Sequence, residues 1–333
     1  MRPARPGGAR AGPRTIGAMG ASFAVHRRWD ILPSPARVRP AARPPLAVGL
    51  VQDRWHGSRA AQEAALTEGV HLAVAQGAQL VCLPELTLSP YFATNPGGWQ
   101  GLAAATEPIP DGPTTAFARR LAADTGSHVH ASLYEAAPTG GPGYNTAICV
   151  APDGALLART RKTHLPRTAG YYEDRYFRPG DSGTPVHEVR GVRVGFPTCW
   201  DQWFPELARA YALAAAELLV FPTAIGSEPD HPGFDTAPLW QTVMRGNGIM
   251  NGLFVAAVNR VGTEDGVTFY GSSFVSDPYG RVLAAAGREE RAVLVVRIDP
   301  DQRSDWLELF PLLATRRPAV YGALTAVPGE EGR

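Results

Sequence analysis

Apolar residues along this chain fall into two recurring patterns: short unbroken runs that stop at proline or glycine, and longer alanine- and leucine-rich stretches at helical spacing. The runs include Pro45-Leu-Ala-Val-Gly-Leu-Val-Gln52, Gly77-Ala-Gln-Leu-Val-Cys-Leu-Pro-Glu85 and Glu217-Leu-Leu-Val-Phe-Pro-Thr223. Unbroken runs of this length read as strands buried on both faces. The stretch 58–76, with Ala64, Leu66, Val70, Leu72 and Val74 among good helix formers, predicts a helix. Pro205-Glu206 opens another that runs to Ala216, since a proline in the first turn forfeits no helical hydrogen bond.

The same reading gives a helix over 117–124 and strands over 128–134, 144–150 and 156–161, the last two closed into a hairpin by Pro152-Asp-Gly154. A helix over 239–251, strands over 253–258 and 268–276, a turn at Asp277-Pro-Tyr-Gly280 and a strand over 292–298 complete the ordered part. GAQLVCLPE and AAELLVFPT repeat one helix-then-strand unit, which predicts a pseudo-symmetric α/β fold whose corresponding strand ends build one site. Connections are short, so residues 45–315 are expected to form a single mixed α/β domain.

Composition narrows the class. Hydrophobic residues make up 44% of 333, enough for a sizeable core. No apolar run approaches the roughly 20 residues of a bilayer span. Cys82, Cys149 and Cys199 are scattered and lack a CxxC spacing, which argues against a disulfide framework and for a reducing, cytoplasmic setting. Residues 1–45 hold nine arginines and one acid, whereas the remainder has 23 basic against 30 acidic residues. The folded part is therefore acidic and unsuited to nucleic acid. The Arg/Pro-rich leader, 1–44, is expected to be disordered; it is also compatible with a transit segment or with a start at Met19.

Three chemically useful side chains stand where strands run out: Glu85 after LVCLP, Lys162 after LLARTR and Cys199 after VRVGFPT. Strand ends are where α/β proteins build sites. Each alone has a plain structural alternative: a helix-start carboxylate, a solvated cation beside Arg159 and Arg161, and a core cysteine. Together they are coherent. A carboxylate can take the thiol proton and later activate water, and an ammonium can stabilise the oxyanion that forms on a carbonyl under attack.

LVCLPEL, RKTHLP and CWDQWFPE, in that order, resemble the three signature segments of the nitrilase superfamily of carbon–nitrogen hydrolases. YNTAICVAPDG, YYEDRYFRPGD, NGLFVAAVNRVG and YGSSFVSDPYG extend the likeness over about residues 46–322. The resemblance implies an α/β four-layer αββα sandwich of the nitrilase type, a Glu85-Lys162-Cys199 triad acting through a thioester, the Trp200 backbone N–H as an oxyanion donor, and Glu135 as the residue that orients Lys162. It also implies a homodimer or larger assembly, with the tail 316–333 packing on a partner subunit. Pro197 and Thr198 depart from the small or apolar residues usual before the nucleophile, and Asn247 stands where histidine is expected.

CWDQWFPELAR followed by FPTAIGSEP looks most like the branch acting on N-carbamoylputrescine. No arginine follows Cys199 closely to grip an anionic tail. A diamine-derived urea could place its ammonium against Glu173, Asp174, Asp201 or Glu228 and its methylenes on Tyr171, Tyr172 or Trp203. β-Ureidopropionase-like or ω-amidase activity and a non-catalytic binding role are the alternatives. His128-Val-His130 is a thin metal clue without a third ligand, a Cys-His pair with His164 or His231 has no support in spacing, and no nucleotide-binding glycine motif is present. No cofactor is implied.

Overall fold

The computed structural model describes residues 22–326. In chain order its elements are β1 (Ala24–Arg28), β2 (Leu46–Gln52), α1 (Arg59–Ala75), β3 (Leu80–Cys82), α2 (Pro113–Thr125), β4 (His128–Glu135), β5 (Tyr144–Val150), β6 (Leu156–Arg161), β7 (Val186–Val189), β8 (Val192–Gly195), α3 (Pro205–Leu213), β9 (Leu218–Pro222), α4 (Ala237–Asn251), β10 (Phe254–Val258), β11 (Val261–Glu264), β12 (Val267–Tyr270), β13 (Phe274–Ser276), β14 (Val282–Ala285), β15 (Ala292–Ile298) and α5 (Asp301–Leu309). Ser58 caps α1 by accepting the Ala61 N–H, and prolines sit in the first turns of α2, α3 and α4.

Two sheets form, in the orders β1-β15-β2-β3-β4-β5-β6 and β14-β13-β10-β9-β8-β7. Within them β2, β3 and β4 run parallel and continue into antiparallel β5 and β6, while β8, β9 and β10 run parallel and continue into antiparallel β13 and β14. The repeated sequence unit thus belongs to two halves of the same topology. Leu46, Val48 and Leu50 meet Val194, Val220 and Phe254 between the sheets. Val51, Val81 and Val129 face α1 and α2 through Leu66, Val70, Phe117 and Leu121, and Leu219 and Val255 face α3 and α4 through Tyr211, Trp240 and Met244. The result is helix, sheet, sheet, helix: the αββα sandwich. Strands apolar on both faces follow from their burial on both faces.

Two expectations need correction. The leader is not disordered through residue 44: β1 pairs in parallel with β15. Its arginines find carboxylates at the far end of the sandwich. Arg37 meets Asp299 at 2.6 Å and Asp305 at 2.8 Å, and Arg43 meets Asp301 at 2.7 Å and Glu217 at 2.8 Å. The rest of the leader, including Met19, lies outside the described residues. The expected strand 268–276 is two strands, β12 and β13, because Gly271 and Ser272 both take positive φ, 52° and 58°. β12 then pairs with β11 in a separate hairpin. Of the tail, residues 316–326 form short 3-10 turns with Val320 and Leu324 exposed. Among the described residues no helix is long and apolar enough to cross a membrane.

Candidate active site

β3 ends just before Leu83-Pro84-Glu85, and the chain turns sharply at Leu86, whose φ is 49°. Glu85 is fully buried. Its Oε1 accepts from Asn145 Nδ2 at 2.7 Å and from Lys162 Nζ at 2.8 Å, and its Oε2 has no hydrogen-bond partner among the described residues. Lys162 follows β6, its N–H held by the Asn145 carbonyl at 2.8 Å. Burial opposes its charge, yet the Glu173 and Glu85 carboxylates hold the ammonium well above its usual range.

β8 delivers Cys199. β8 stops at Gly195, ahead of Pro197; Thr198 is extended, and Cys199 then adopts φ 41° and opens a 3-10 turn over Cys199–Trp203. A non-glycine residue at positive φ is strained and needs its surroundings to hold it. Asp201 supplies one restraint, accepting the Thr198 N–H at 3.1 Å, the His164 N–H at 2.9 Å and bonding His164 Nδ1 at 2.8 Å. His164 in turn stacks on Phe204 at 3.6 Å between ring centroids. One carboxylate therefore ties the cysteine turn to the lysine loop. Asn247, donating to the Gln202 carbonyl at 3.0 Å, braces the same turn from α4. Burial raises the Cys199 thiol well above its usual value, Glu85 adds to this, and Lys162 opposes it. A thiol raised in this way attacks a carbonyl only with the help of a base.

Glu135 does not orient Lys162. It is buried against Arg159, Arg161 and the Thr146 hydroxyl, and its carboxyl is lowered despite burial by these hydrogen bonds, Arg161 foremost. Glu173 holds the lysine instead, with Nζ 2.8 Å from Oε1 and 2.6 Å from Oε2. Its expected role as an ammonium partner for substrate therefore gives way to pairing with Lys162. Tyr91, not anticipated from the sequence, donates its hydroxyl to Glu173 Oε1 at 2.7 Å. Asn145, the second anchor of Glu85, lies in the YNTA string and carried no other signal.

A cavity of about 270 Å³ opens over the sulfur. Tyr171, Glu173, Trp203 and Glu228, four of the candidate substrate contacts, line it together with Trp200, and with Phe234 and Leu239, which sequence reasoning missed. Tyr172, Asp174 and Asp201 stand outside that lining: Tyr172 lies under the Arg175 guanidinium, Asp174 faces Arg167 at the surface, and Asp201 is spent on the turn. Among the described lining residues the charged ones are Glu173, already paired, and Glu228. The Tyr171 hydroxyl donates to the Ser227 carbonyl at 3.0 Å and accepts the Gly226 N–H at 2.9 Å, fixing the backbone that presents Glu228. Gly226 is required there, since a Cβ would strike the Thr268 carbonyl.

The metal clue does not develop. His130 is buried and stacks on Phe196 at 5.3 Å, and no group of three His, Cys, Asp or Glu side chains suited to a metal occurs among the described residues. His164 bonds Asp201, and His231 lines a neighbouring depression, so neither forms a catalytic pair with Cys199. What remains at one point is a thiol, a carboxylate with a free oxygen, and a fixed ammonium. That set can carry out acyl transfer from an amide or urea carbonyl.

Comparison with known proteins agrees with this chemistry. The carbon–nitrogen hydrolase family pattern matches residues 47–307. The chain is 38% identical to an N-carbamoylputrescine amidase of Solanum lycopersicum, over 78% of this chain and 88% of that protein. It is 35% identical to a citrullinase of Francisella tularensis, over 83% of this chain and 96% of that one. The structure of a carbon–nitrogen hydrolase from Helicobacter pylori G27 superposes with a TM-score of 0.78 at 32% identity, covering 85% of this chain and 99% of that one.

Proposed function

The chain belongs to the carbon–nitrogen hydrolase family, and on that premise we propose that it hydrolyses N-carbamoylputrescine to putrescine, carbon dioxide and ammonia. Glu85 takes the proton from Cys199, and the sulfur attacks the ureido carbon. The oxyanion is met by Lys162 and the Trp200 N–H. One nitrogen leaves with the proton from Glu85, giving a thioester of carbamic acid. Water, deprotonated by Glu85, then releases the carbamate, which breaks down to carbon dioxide and the second amine. Glu173 and Tyr91 keep Lys162 in place throughout.

The observation that carries the substrate assignment is the lining of the cavity: Trp200, Trp203, Phe234 and Leu239 offer apolar wall to a methylene chain, and Glu228, which accepts the Thr236 hydroxyl at 3.3 Å, is the lining carboxylate without an ion pair among the described residues. A cationic tail gains a charge-assisted bond there, whereas an anionic one meets repulsion. A second reading has one observation in its favour. Glu228 also lines the adjoining depression with Arg167, a pairing that suits the ammonium and carboxylate of a ureido amino acid such as citrulline.

Ammonia release from N-carbamoylputrescine, citrulline, N-carbamoyl-β-alanine and simple ω-amides separates these readings. Expected is a preference for N-carbamoylputrescine that Glu228→Gln lowers by about tenfold or more in kcat/KM, the worth of one charge-assisted hydrogen bond. A preference for citrulline that collapses in Arg167→Ala would establish the second reading instead. The same proposal places the enzyme in a reducing, cytoplasmic setting that preserves the thiol and, through the exposed Leu309, Phe310, Val320 and Leu324, in a homo-oligomer. Light scattering tests the latter, and a monomer at micromolar concentration would contradict it.

A further inference from the structure

Glu85 and Cys199 come from different sheets, Glu85 beyond β3 and Cys199 beyond β8. Between the sheets lie apolar side chains, and hydrophobic contact is non-directional. It does not by itself fix the distance between base and nucleophile to the fraction of an ångström that catalysis needs.

Arg260, two residues beyond β10, crosses that gap. It is buried, and its guanidinium faces the turn that carries Glu85. Nε lies 3.2 Å and Nη2 2.8 Å from the Glu85 carbonyl oxygen, and Nη2 also lies 2.7 Å from the carbonyls of Leu86 and Ser89. Leu86 is the residue at φ 49°, so the fork grips the strained part of the turn. Nη1 donates to Glu264 Oε1 at 2.9 Å, and Glu264 Oε2 accepts the Tyr91 N–H at 2.7 Å. Tyr91 then donates to Glu173, the partner of Lys162.

The neighbouring Asn259 does the corresponding work on the nucleophile's side. Its side chain accepts the Ile225 N–H at 3.0 Å and donates to the Ile225 and Gly271 carbonyls, both at 2.9 Å. Ile225 follows Ala224, and both line the cavity beside Cys199. The dipeptide Asn259-Arg260 thus holds the surroundings of the thiol with one side chain and the turn of the carboxylate with the other.

We propose that Arg260 is a positioning residue for the reaction, setting the placement of Glu85 relative to Cys199 by locking the Glu85–Ser89 turn of one sheet to the end of the other. The proposal rests on the reading of Glu85 as the base. A planar guanidinium reaches several carbonyls in fixed directions, which the point charge of lysine does not reproduce.

The test compares Arg260→Lys with Arg303→Lys. Arg303 is also a buried arginine that binds backbone carbonyls, those of Ala212, Asn251 and Gly252, but at the opposite end of α4 from the cavity. Steady-state kinetics, thermal melting and the pH dependence of Cys199 alkylation by iodoacetamide are read for both. Expected for Arg260→Lys is a fall in kcat of tenfold or more with KM within twofold, and an alkylation profile displaced toward lower pH, since a loosened Glu85 adds less to the rise of the thiol. Arg303→Lys should lower the melting temperature and leave kcat and the profile in place. If Arg260→Lys does not fold, Glu264→Gln, which leaves the guanidinium present but loosens its anchor, takes its place with an expected threefold or greater loss in kcat alone. Wild-type kcat and alkylation in the variant that folds, or an equal kcat loss in Arg303→Lys, would overturn the proposal. Glu85→Gln run alongside separates the two failures: if it too is fully active, the reading of the base has failed rather than the role of Arg260.

Discussion

Lys162 sits between the Glu85 and Glu173 carboxylates with no water-exposed surface of its own, so these two contacts set its position. Burial pushes Glu173 up to about 7, with Lys162 opposing and Glu85 adding. A carboxyl raised in the native state keeps its proton where the unfolded chain has lost it. Stability from this group therefore falls as pH rises from about 4.5 to about 7. Glu173→Gln is expected to flatten that part of the stability profile, as denaturant titrations across the range would show. It should also cut kcat by at least about tenfold, since the lysine loses its hold. Glu135→Gln is expected to leave kcat within about twofold and to cost about 1–3 kcal/mol of stability, because Arg159 and Arg161 lose a charged acceptor. The sequence pointed to Glu85, Lys162 and Cys199 because strand ends and the local strings agreed on the same three residues. The exchange between Glu135 and Glu173 was legible in principle. Arg159 and Arg161 alternate onto one face of β6, and Lys162, one residue on, points the other way, so a carboxylate that serves the arginines cannot serve the lysine.

At the scale of elements, β4 carries an unusual interior residue. His130 lies between the sheets, pairs in register with Cys82 and Cys149 on the neighbouring strands, and both its ring nitrogens lack partners among the described residues. Burial lowers its pKa to about 3. The unfolded chain takes up this proton below about 6.5 while the native state refuses it, so stability is lost as pH falls from about 6.5 toward about 3. His130→Phe, which keeps the stack on Phe196, is expected to remove that acid-side loss and raise the melting temperature at pH 5; a variant as acid-sensitive as the parent would contradict this. Elements with strong apolar periodicity were read from the sequence nearly to the residue: 58–76 against α1, 144–150 and 156–161 against β5 and β6. β1 and α5 were not, because Ala-Val-His-Arg-Arg and Asp301-Gln-Arg-Ser-Asp bury little and are held by ion pairs and an edge strand. Such contacts leave no period to read.

For the whole molecule, part of the charge asymmetry between the leader and the remainder is, within the described residues, an internal complementarity. Arg37 and Arg43 fasten residues 22–44 to carboxylates on and beside α5 and β9, and Phe23 packs into the layer between α1 and the first sheet. A chain shortened to begin at residue 45 is expected to lose about 3 kcal/mol or more relative to one beginning at residue 22, from the buried phenylalanine and the uncovered β15 edge; equal melting temperatures would show that the segment is dispensable. The four-layer sandwich itself was implied by the family strings, and the repeated unit pointed to its two halves. How the halves meet was not legible, because the inter-sheet apolar faces carry no direction and the crossing contacts of Arg260 join residues some 175 positions apart. Both halves converge on one sulfur, and the most direct measurement is ammonia release from N-carbamoylputrescine and the companion amides by wild type and Cys199→Ala under identical conditions. Expected is activity in the wild type and a fall of about 10⁴-fold or more in the variant; a variant within about tenfold of wild type on every substrate that wild type turns over would contradict a cysteine-dependent hydrolase.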